Sequence, residues 1–472
     1  MLDYQPLKPL NADDLKSNLG DIQGGVLEDY DGLACAYVFY RIETAAEGRM
    51  WLKTLLDHVT SSIQARQRPA AERSLNIAFS SFGLDALELT SPIRESFPHA
   101  FRQGMAARAH RLGDTGPGDP SLWEGGLGTS DIHVLVLITG TDANAVDSWR
   151  LELADQAATF GVREQHYVEA AIVFDQRSGC PAAHFGYVDP VSQPAIAGLD
   201  DDAAPGHGAR EGDGWRGIAP GEFLLGYINE LGEQTATPGS KELGQNGTFI
   251  AFRKARQDVA GFRQYLKQGA MNLWGNDDAN HQEKMAAKIV GRWRSGCPLA
   301  LSPDADDLNI ADDPKRVNDF DYSDDPEGKR CPLGAHLRRV NPRKSAIKTP
   351  TNINRKRILR RGLEFGPPLP EGAPDDGVKR GQAGVFVVAD LELQFEFMQA
   401  EWIQKGDFAG LPSEEKDPLV GTNGDGGQFT VPGADMPFLF DMRQFVITDG
   451  GEYFFVPSMS ALHGLANGNF SD

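Results

Sequence analysis

The sequence predicts an α+β protein of two similar halves, each an antiparallel sheet with helices against one face. Residues 34–41 (ACAYVFYR) are typical of a β-strand, and residues 45–56 follow it with apolar side chains at helical spacing. The same order returns later in the chain, where residues 247–253 are strand-like and residues 258–266 are helical. This repetition indicates a duplicated unit.

A second pair of segments repeats in the same way. Residues 132–138 (IHVLVLI) predict a strand, and residues 144–160 predict the helix that follows it. In the second half, residues 385–388 predict a strand and residues 391–403 a helix. Each half should therefore contribute two such strand–helix pairs.

Stretches rich in Gly, Asp and Pro mark the expected loops. Residues 199–216 (LDDDAAPGHGAREGDGWR) predict the link between the halves, and we expect domains over residues 1–205 and 215–472. Long loops are also expected at residues 302–328 and 409–436. Such loops can form the wall of a cavity, although a solvated surface position is the default.

Composition and charge indicate a soluble folded protein and exclude several classes of partner. The 472 residues are 40% hydrophobic and 24% charged, which is ordinary for globular proteins. No run approaches the roughly 18 apolar residues of a membrane span. With 67 acidic and 46 basic residues, the net charge of −21 repels nucleic acids and anionic membranes. We expect neither a nucleic acid nor a membrane as partner.

Cysteine spacing and the N-terminal residues bear on the compartment. Cys35, Cys180, Cys297 and Cys331 lie far apart without a Cys-x-x-Cys pair, which predicts neither a zinc site nor a disulfide scaffold. The first residues lack a basic region followed by an apolar stretch. We expect a cytoplasmic protein, although a chain already trimmed of a leader would look the same.

One histidine has unusual neighbours. In the segment Cys331–Arg343 (CPLGAHLRRVNPR), His336 lies among small and apolar residues, and three arginines follow it within seven positions. Imidazole is a common axial ligand of haem iron, and guanidinium groups can bind the haem carboxylates through two hydrogen bonds. The segment is compatible with a metal ligand beside an anionic cofactor. A structural histidine in a basic loop is the alternative.

Two further segments, together with this one, match a single family in the right order. His184–Pro194 (HFGYVDPVSQP) resembles the Gly-x-x-Asp-Gly motif of the dye-decolourising peroxidases, and Arg357–Gly362 (RILRRG) resembles the stretch that carries their distal arginine. Other blocks similar to the family are DIQGGV at 21–26, PGEFLLGY at 220–227, GRWRSG at 291–296, QFEFMQ at 394–399 and GGEYFFVP at 450–457. The chain thus resembles the longer-chain branch of this family over most of its length.

The resemblance implies two ferredoxin-like domains with haem b, one per chain, held mainly by the C-terminal domain. It implies reduction of hydrogen peroxide and oxidation of dye-like or phenolic donors. In this interpretation His336 binds the iron, Asp189 moves the proton during O–O cleavage, and Arg360 stabilises the developing charge. Because an aspartate carboxyl ordinarily ionises near pH 4, we expect an acidic pH optimum.

Propionate contacts are expected from nearby arginines, with alternatives left open. Arg343 and Arg338 follow His336 and could bind the haem carboxylates. Arg361 could do the same or pair with a surface carboxylate. Because neighbouring side chains point in different directions, the choice between Arg360 and Arg361 matters, and the match of residues 358–362 (ILRRG) to the family stretch favours Arg360 as the distal residue.

Several other side chains have two interpretations. Asp390 could accept the second N–H of His336 or could cap the helix that follows it. His184 could assist proton transfer or could form hydrogen bonds in the core. Aromatic residues of the C-terminal half could relay electrons or simply pack in the core, and these are Trp293, Tyr322, Trp402 and Tyr453.

The chain departs from the family motif directly after the proposed acid. Pro190 stands where the motif has glycine, and proline removes a backbone N–H and favours an extended conformation at Asp189. An Asp-Pro turn is the structural alternative. Two other functions therefore remain open: a haem-binding carrier or sensor with little turnover, and a different haem enzyme on the same fold.

Overall fold

The structure is a computed structural model that describes residues 9–28, 33–67, 72–175, 179–189, 191–200, 203–344, 352–424 and 426–471. Pro190 lies outside the described residues. No helix in the described part of the chain is both long and apolar enough to cross a bilayer.

Two four-stranded antiparallel sheets form the centre of the protein. The strands are β1 (Ala34–Arg41), β2 (Arg73–Phe79), β3 (Val134–Gly140), β4 (Arg163–Ala171), β5 (Ala209–Glu211), β6 (Gly214–Arg216), β7 (Thr248–Gln257), β8 (Leu359–Arg360), β9 (Leu363–Phe365), β10 (Gly381–Val388), β11 (Phe429–Thr430), β12 (Phe438–Leu439) and β13 (Val446–Val456). β5 pairs with β6 and β11 pairs with β12 in separate small ribbons, the first of them within the predicted link.

Both sheets have the same strand order. In the first half the order is β2-β3-β1-β4, and in the second it is β13-β7-β10 followed by β9 and β8, which lie end to end along β10. In each half the first and third strands occupy the centre. This is the ferredoxin-like arrangement, so the predicted duplicated α+β unit is confirmed.

The two sheets are joined into one closed ring. One pairing, Phe79 with Phe455, joins β2 to β13, and another, Ala171 with Glu364, joins β4 to β9. Because β7 and β10 are paired within the second sheet, the strands form a continuous ring. The domain limits at residues 205 and 215 stay a prediction.

Strand alternation divides the core into an inner and an outer layer. Inside the ring, aromatic residues of the two sheets meet, with the Phe252 ring 5.3 Å from Tyr37 and 5.1 Å from Phe39. The neighbouring residues point outward under the helices, where Tyr40 packs on Trp51 at 5.0 Å. Because successive side chains point to opposite faces of a strand, the same strands supply residues to both layers.

Helices surround the sheets: the longer ones cover the outer faces, and the two N-terminal ones pack residues such as Leu15 and Val26 into the inner layer. They are α1 (Ala12–Asn18), α2 (Gly24–Leu27), α3 (Ala45–Leu55), α4 (Ser62–Ala65), α5 (Ser81–Ala86), α6 (Ser91–Glu95), α7 (His99–Gln103), α8 (Ala109–Leu112), α9 (Ala143–Thr159), α10 (Lys241–Gly244), α11 (Val259–Trp274), α12 (Ala279–Val290), α13 (Leu308–Ala311), α14 (His336–Val340) and α15 (Met459–Asn467). Side-chain caps fix several starts, including Asp142 before α9 and Asp258 before α11.

The predicted helices are present, with two differences. α11 continues to Trp274, well beyond the predicted end at 266, and it stops where Gly275 adopts a left-handed conformation with φ of 64°. The segment predicted as a helix over 391–403 is π-helical, over Leu391–Glu396 and Met398–Ile403. The apolar spacing does not distinguish a π-helix from an α-helix, and π-helical turns occur frequently at functional sites.

Candidate active site

A cavity of about 390 Å³ lies against the outer face of the second sheet. Alternate residues of three strands face it, namely Arg253, Ala255 and Gln257 of β7, Gln382, Gly384 and Phe386 of β10, and Val446 and Thr448 of β13. Both long loops contribute to its wall, through Phe320 and Tyr322 in one and Leu419 and Val420 in the other. Parts of both loops therefore form the cavity wall, while other residues in them, such as Leu308 and Met436, are exposed to solvent.

His336 begins the short helix α14 and lines the cavity. Its Nδ1 lies 2.9 Å from Oδ2 of Asp417, whose side chain is fully buried. Burial raises the pKa of Asp417, but the His336 ring and Arg339 outweigh that effect and hold the pKa below its usual value. Asp417 thus stays ionised and accepts the Nδ1–H of the ring.

The loop that contains Asp417 is fixed by its backbone. Oδ1 of Asp417 accepts the N–H groups of Leu419 and Val420, both at 2.9 Å. Among the described residues, Nε2 of His336 has no hydrogen-bond partner. An imidazole with a carboxylate behind Nδ1 and an unpartnered Nε2, in a residue that lines a cavity, is suited to bind a metal ion.

Asp390 caps a helical segment, which is the second of its two predicted roles. Its carboxylate accepts the Leu393 N–H at 2.8 Å and caps the π-helical segment. The residue that orients His336 is Asp417 instead, which lies 81 positions further along the chain.

Asp189 and Arg360 meet at the same cavity as His336. Oδ1 of Asp189 lies 3.4 Å from a terminal nitrogen of Arg360, which also donates to the Ser192 carbonyl at 3.0 Å. The side chain of Asp189 is 34% exposed and that of Arg360 is 44% exposed, so both can reach a small molecule in the cavity. Gln193 ties the two segments together through hydrogen bonds with the backbone N–H and C=O of Arg360.

Three arginines form a basic wall of the cavity: Arg292, which is buried, and Arg343 and Arg357, which are partly buried. None of them forms an ion pair with a carboxylate in the part of the chain that the structure describes. Burial lowers the pKa of Arg357 to about 9, and the positive charges of Arg343 and Arg360 add to this effect. Burial and Arg343 likewise lower the pKa of Arg292 to about 10.

The contacts of these arginines show whether the wall fits an anionic cofactor. Arg343 donates to the Asn318 and Phe320 carbonyls at 2.8 and 3.0 Å, with its backbone φ at 50°, in the left-handed region. Arg357 has one long hydrogen bond, at 3.5 Å, to the His207 carbonyl. Uncompensated buried guanidinium groups are costly unless an anion binds to them. The residues present therefore fit the carboxylates of a haem.

Two of the predicted propionate ligands lie elsewhere. Arg338 is fully buried behind the Tyr322 ring and donates to Asp325 at 3.0 Å and to the Cys331 carbonyl at 2.7 Å. Arg361 is also buried, and it donates to the Leu27 carbonyl at 2.8 Å. Neither lines the cavity. Of the predicted propionate ligands, only Arg343 reaches it.

Arg357 was missed although it stands at the start of the quoted segment Arg357–Gly362. Its three-residue spacing from Arg360 gives no sign that both side chains face one cavity. Asp417 has no local signal at all, because it lies in an Asp-rich loop far from His336 in sequence.

The aromatic residues considered as electron relays are all buried. Tyr322 is 1% exposed and Trp293 5% exposed, and both line the cavity. Trp402 and Tyr453 are 3% and 0% exposed and lie outside it. Core packing therefore accounts for the positions of all four.

Comparisons with known proteins identify the family to which the chain is similar. Residues 21–172 match the family model described as the DyP dimeric alpha+beta barrel domain. The dye-decolorizing peroxidase msp1 of Mycetinis scorodonius is 30% identical, over 94% of this chain and 87% of that protein. The multifunctional dye peroxidase DyP2 of Amycolatopsis sp. is 28% identical, over 95% of this chain and 96% of that protein.

Solved structures give the same result. A dye-decolorizing peroxidase in complex with 2,6-dimethoxyphenol superposes with a TM-score of 0.80 at 27% identity, covering 95% of this chain and 99% of that one. An ancestral D-type dye decolorizing peroxidase superposes with a TM-score of 0.81 at 29% identity, covering 98% and 100%.

Fold, site and relatives together define a haem-dependent peroxidase. The chain belongs to the dye-decolourising peroxidase family.

Proposed function

We propose that the chain binds one haem b in the 390 Å³ cavity and uses it to reduce hydrogen peroxide with electrons from phenolic or dye-like donors. His336 would hold the iron through Nε2, and the guanidinium groups of Arg292, Arg343 and Arg357 would bind the haem carboxylates. Asp189 and Arg360 would act on the peroxide. The observation that carries this proposal is the unpaired basic wall in the same cavity as the His336–Asp417 pair.

The bound haem supplies the redox chemistry, taking oxidising equivalents from peroxide and passing them to the donors. Asp189 would accept the proton from one peroxide oxygen and return it to the other, which leaves as water when the O–O bond breaks. Arg360, held by Ser192 and Gln193, stabilises the negative charge that develops on the departing oxygen. Asp417 keeps the imidazole of His336 electron-rich and correctly oriented.

The donor class is proposed from the relatives. The solved complex with 2,6-dimethoxyphenol shows that a peroxidase of this type binds a small phenol. We propose methoxylated phenols as the first donors to test. We also propose an acidic optimum for turnover, because reduction of each peroxide consumes two protons; a kcat that stays flat from about pH 4 to pH 8 would contradict it.

The decisive experiment mixes the haem-reconstituted protein with one equivalent of hydrogen peroxide in a stopped-flow spectrometer. The wild type and Asp189→Asn are measured side by side. We expect rapid oxidation of the wild type and a rate at least roughly tenfold lower in the variant, because one acid–base group contributes about that much or more. If the wild type binds haem but leaves peroxide unreacted, the carrier or sensor alternative takes its place.

We also propose that the enzyme acts in the cytoplasm. None of its four cysteines forms a disulfide, which is compatible with a reducing compartment. Fractionation of the source cells with an antibody against the chain tests this, and recovery outside the cytoplasm would contradict it.

A further inference from the structure

One buried amide side chain contacts both the basic wall and the distal segment, residues 191–193. Asn318 lies in the long loop at residues 302–328 and is completely buried. Its Oδ1 accepts hydrogen bonds from Arg292 at 2.5 Å and from Arg343 at 3.3 Å. Two of the three arginines of the wall therefore meet at a single acceptor.

The amide nitrogen of Asn318 contacts the distal side of the cavity. Nδ2 donates to the Val191 carbonyl at 3.0 Å and to Nε2 of His207 at 3.1 Å. All four hydrogen-bonding positions of the amide, two lone pairs and two N–H groups, are thus used. Reversing the amide would place N–H donors against two guanidinium groups, so the arginines fix its orientation.

His207 extends the connection towards Arg360. Because Nε2 accepts from Asn318, the proton of the neutral ring lies on Nδ1. Burial lowers the pKa of His207 against a hydrogen bond from the ring to the Gln193 carbonyl, and the positive charges of the wall arginines lower it further. The side chain of Gln193 in turn binds the backbone N–H and C=O of Arg360.

The Val191 contact reaches the distal segment directly. Val191 and Ser192 line the cavity together with Asp189, and the Ser192 carbonyl accepts from Arg360 at 3.0 Å. Asn318 thus contacts this segment at Val191 and also, through the His207 ring, at its other end.

We propose that Asn318 is a positioning residue that holds the distal segment in register with the basic wall. The inference rests on the proposed function, in which the wall binds the haem carboxylates and Asp189 and Arg360 act on the peroxide. By contacting both sides, Asn318 sets the distance between the bound cofactor and the two groups that act on the O–O bond.

Peroxide cleavage depends on that distance. The haem would be located by the wall and by His336, whereas Asp189 belongs to a segment that follows β4 and Arg360 belongs to β8. A displacement of about 1 Å between reacting groups can lower a rate roughly 100-fold. A shared side chain that is completely buried, with every hydrogen-bonding position used, leaves little freedom for such a displacement.

The first test removes the amide. Asn318→Ala should bind haem about tenfold more weakly and, at full haem loading, should react with hydrogen peroxide roughly 10- to 100-fold more slowly. Asn76→Ala is the matched control, because it removes another buried amide, which accepts the Gly25 N–H and donates to the Thr60 carbonyl in the N-terminal half. It should lower the melting temperature and leave both haem measurements unchanged. An unchanged peroxide rate per bound haem in Asn318→Ala would overturn the proposal.

A double-mutant cycle tests whether Asn318 acts through the distal acid. In the Asp189→Asn background, Asn318→Ala should lower the peroxide rate by a factor at least about threefold smaller than in the wild-type background, because one of the groups that it positions is already gone. Equal factors in both backgrounds would overturn the proposal. A wild-type rate in Asp189→Asn by itself is a different result, which would overturn the proposed function and this inference with it.

Asn318→Asp separates positioning from stability. The substitution keeps the shape and the acceptor oxygens but removes both N–H donors. The new carboxylate pairs with Arg292 and Arg343, so the apoprotein should be at least as stable as the wild type in urea unfolding. The peroxide rate per bound haem should nevertheless fall, because Val191 and His207 have lost their donor. A stable variant with the wild-type rate would show that the contacts serve the fold alone.

Nitrogen NMR of the histidine rings in the apoprotein tests the contact without haem. In the wild type at neutral pH the His207 ring should carry its proton on Nδ1, and loss of the signal in His207→Gln assigns it. In Asn318→Asp, Nε2 faces a carboxylate and should gain a proton. A wild-type ring that carries its proton on Nε2 would mean that the Asn318 amide is reversed, and it would overturn the proposal.

Discussion

Nδ1 of His336 lies 2.9 Å from the buried carboxylate of Asp417, and this contact decides which ring nitrogen faces the cavity. The carboxylate is itself held by two backbone N–H groups, so the ring cannot turn without losing its hydrogen bond to a fixed, buried acceptor. The first prediction concerns this pair.

Replacing Asp417 with Asn should weaken haem binding about 10- to 100-fold, because the ring loses a charged acceptor and its fixed orientation. Titration of the apoprotein with haem measures the dissociation constant. Asp390→Ala is the matched control, since that carboxylate caps a helical segment and should affect only the melting temperature, through a loss of about 1 kcal/mol. Equal haem affinities for Asp417→Asn and wild type would contradict the assignment.

The adjacent residues Arg360 and Arg361 should respond differently to the same substitution. Arg360→Leu should slow the reaction with peroxide roughly 10²- to 10³-fold with little change in stability, because its half-exposed side chain acts on the cavity. Arg361→Leu should instead destabilise the fold, because its buried guanidinium holds the Leu27 carbonyl. Stopped-flow rates per bound haem and urea unfolding separate the two effects. The reverse pattern would assign the distal role to Arg361.

Arg357→Met should move the stabilities of apoprotein and holoprotein in opposite directions. The apoprotein should gain stability, because a buried cation beside Arg343 and Arg360 is removed. Haem should bind about tenfold more weakly, because one charge-assisted hydrogen bond to a carboxylate is lost. Differential scanning calorimetry with and without haem measures both. A loss of stability in both forms would mean that Arg357 serves the protein fold and not the cofactor.

Glu452 should make the protein less stable as pH rises. Burial raises its pKa from 4.5 to about 7, against the effect of the Tyr453 and Met105 N–H groups. The stability it contributes is complete below about pH 4.5, where folded and unfolded chains both carry the proton, and it is lost as pH rises towards 7.

Glu452→Gln stays neutral throughout and removes this loss. Its unfolding free energy relative to wild type should increase between pH 4.5 and pH 8, by on the order of 3 kcal/mol at most. Urea unfolding at several pH values tests this. A difference that is constant over the whole range would show that the carboxyl does not titrate there.

Much of the fold is encoded in local patterns. Residues 34–41 and 247–253 are apolar at most positions and predict strands, and the structure buries one face of these strands in the ring interior and the other under the helix layer. The start of α9 follows from Asp142, a side chain that accepts a backbone N–H in the first turn. Closure of the ring could not be predicted, since each seam rests on a single residue pair between distant strands.

For the site, too, some features could be predicted from the sequence and others could not. Asp189, Arg360 and His336 could be proposed from segments with recognisable spacing, and the structure brings all three to one cavity. The partners of charged residues could not be predicted, because an arginine looks the same in sequence whether it faces a cavity, as Arg357 does, or a buried carboxylate, as Arg338 does.

The closed ring has a consequence for how the protein comes apart. A sheet edge exposes unpaired backbone groups that can recruit other chains, and here the edge strands of each half cover those of the other at Phe79–Phe455 and Ala171–Glu364. Separating the halves would create four bare edges at once and would expose the aromatic residues of the ring interior to water. Each half thus protects the edge strands of the other from pairing with further chains, and the two halves should unfold in a single cooperative step.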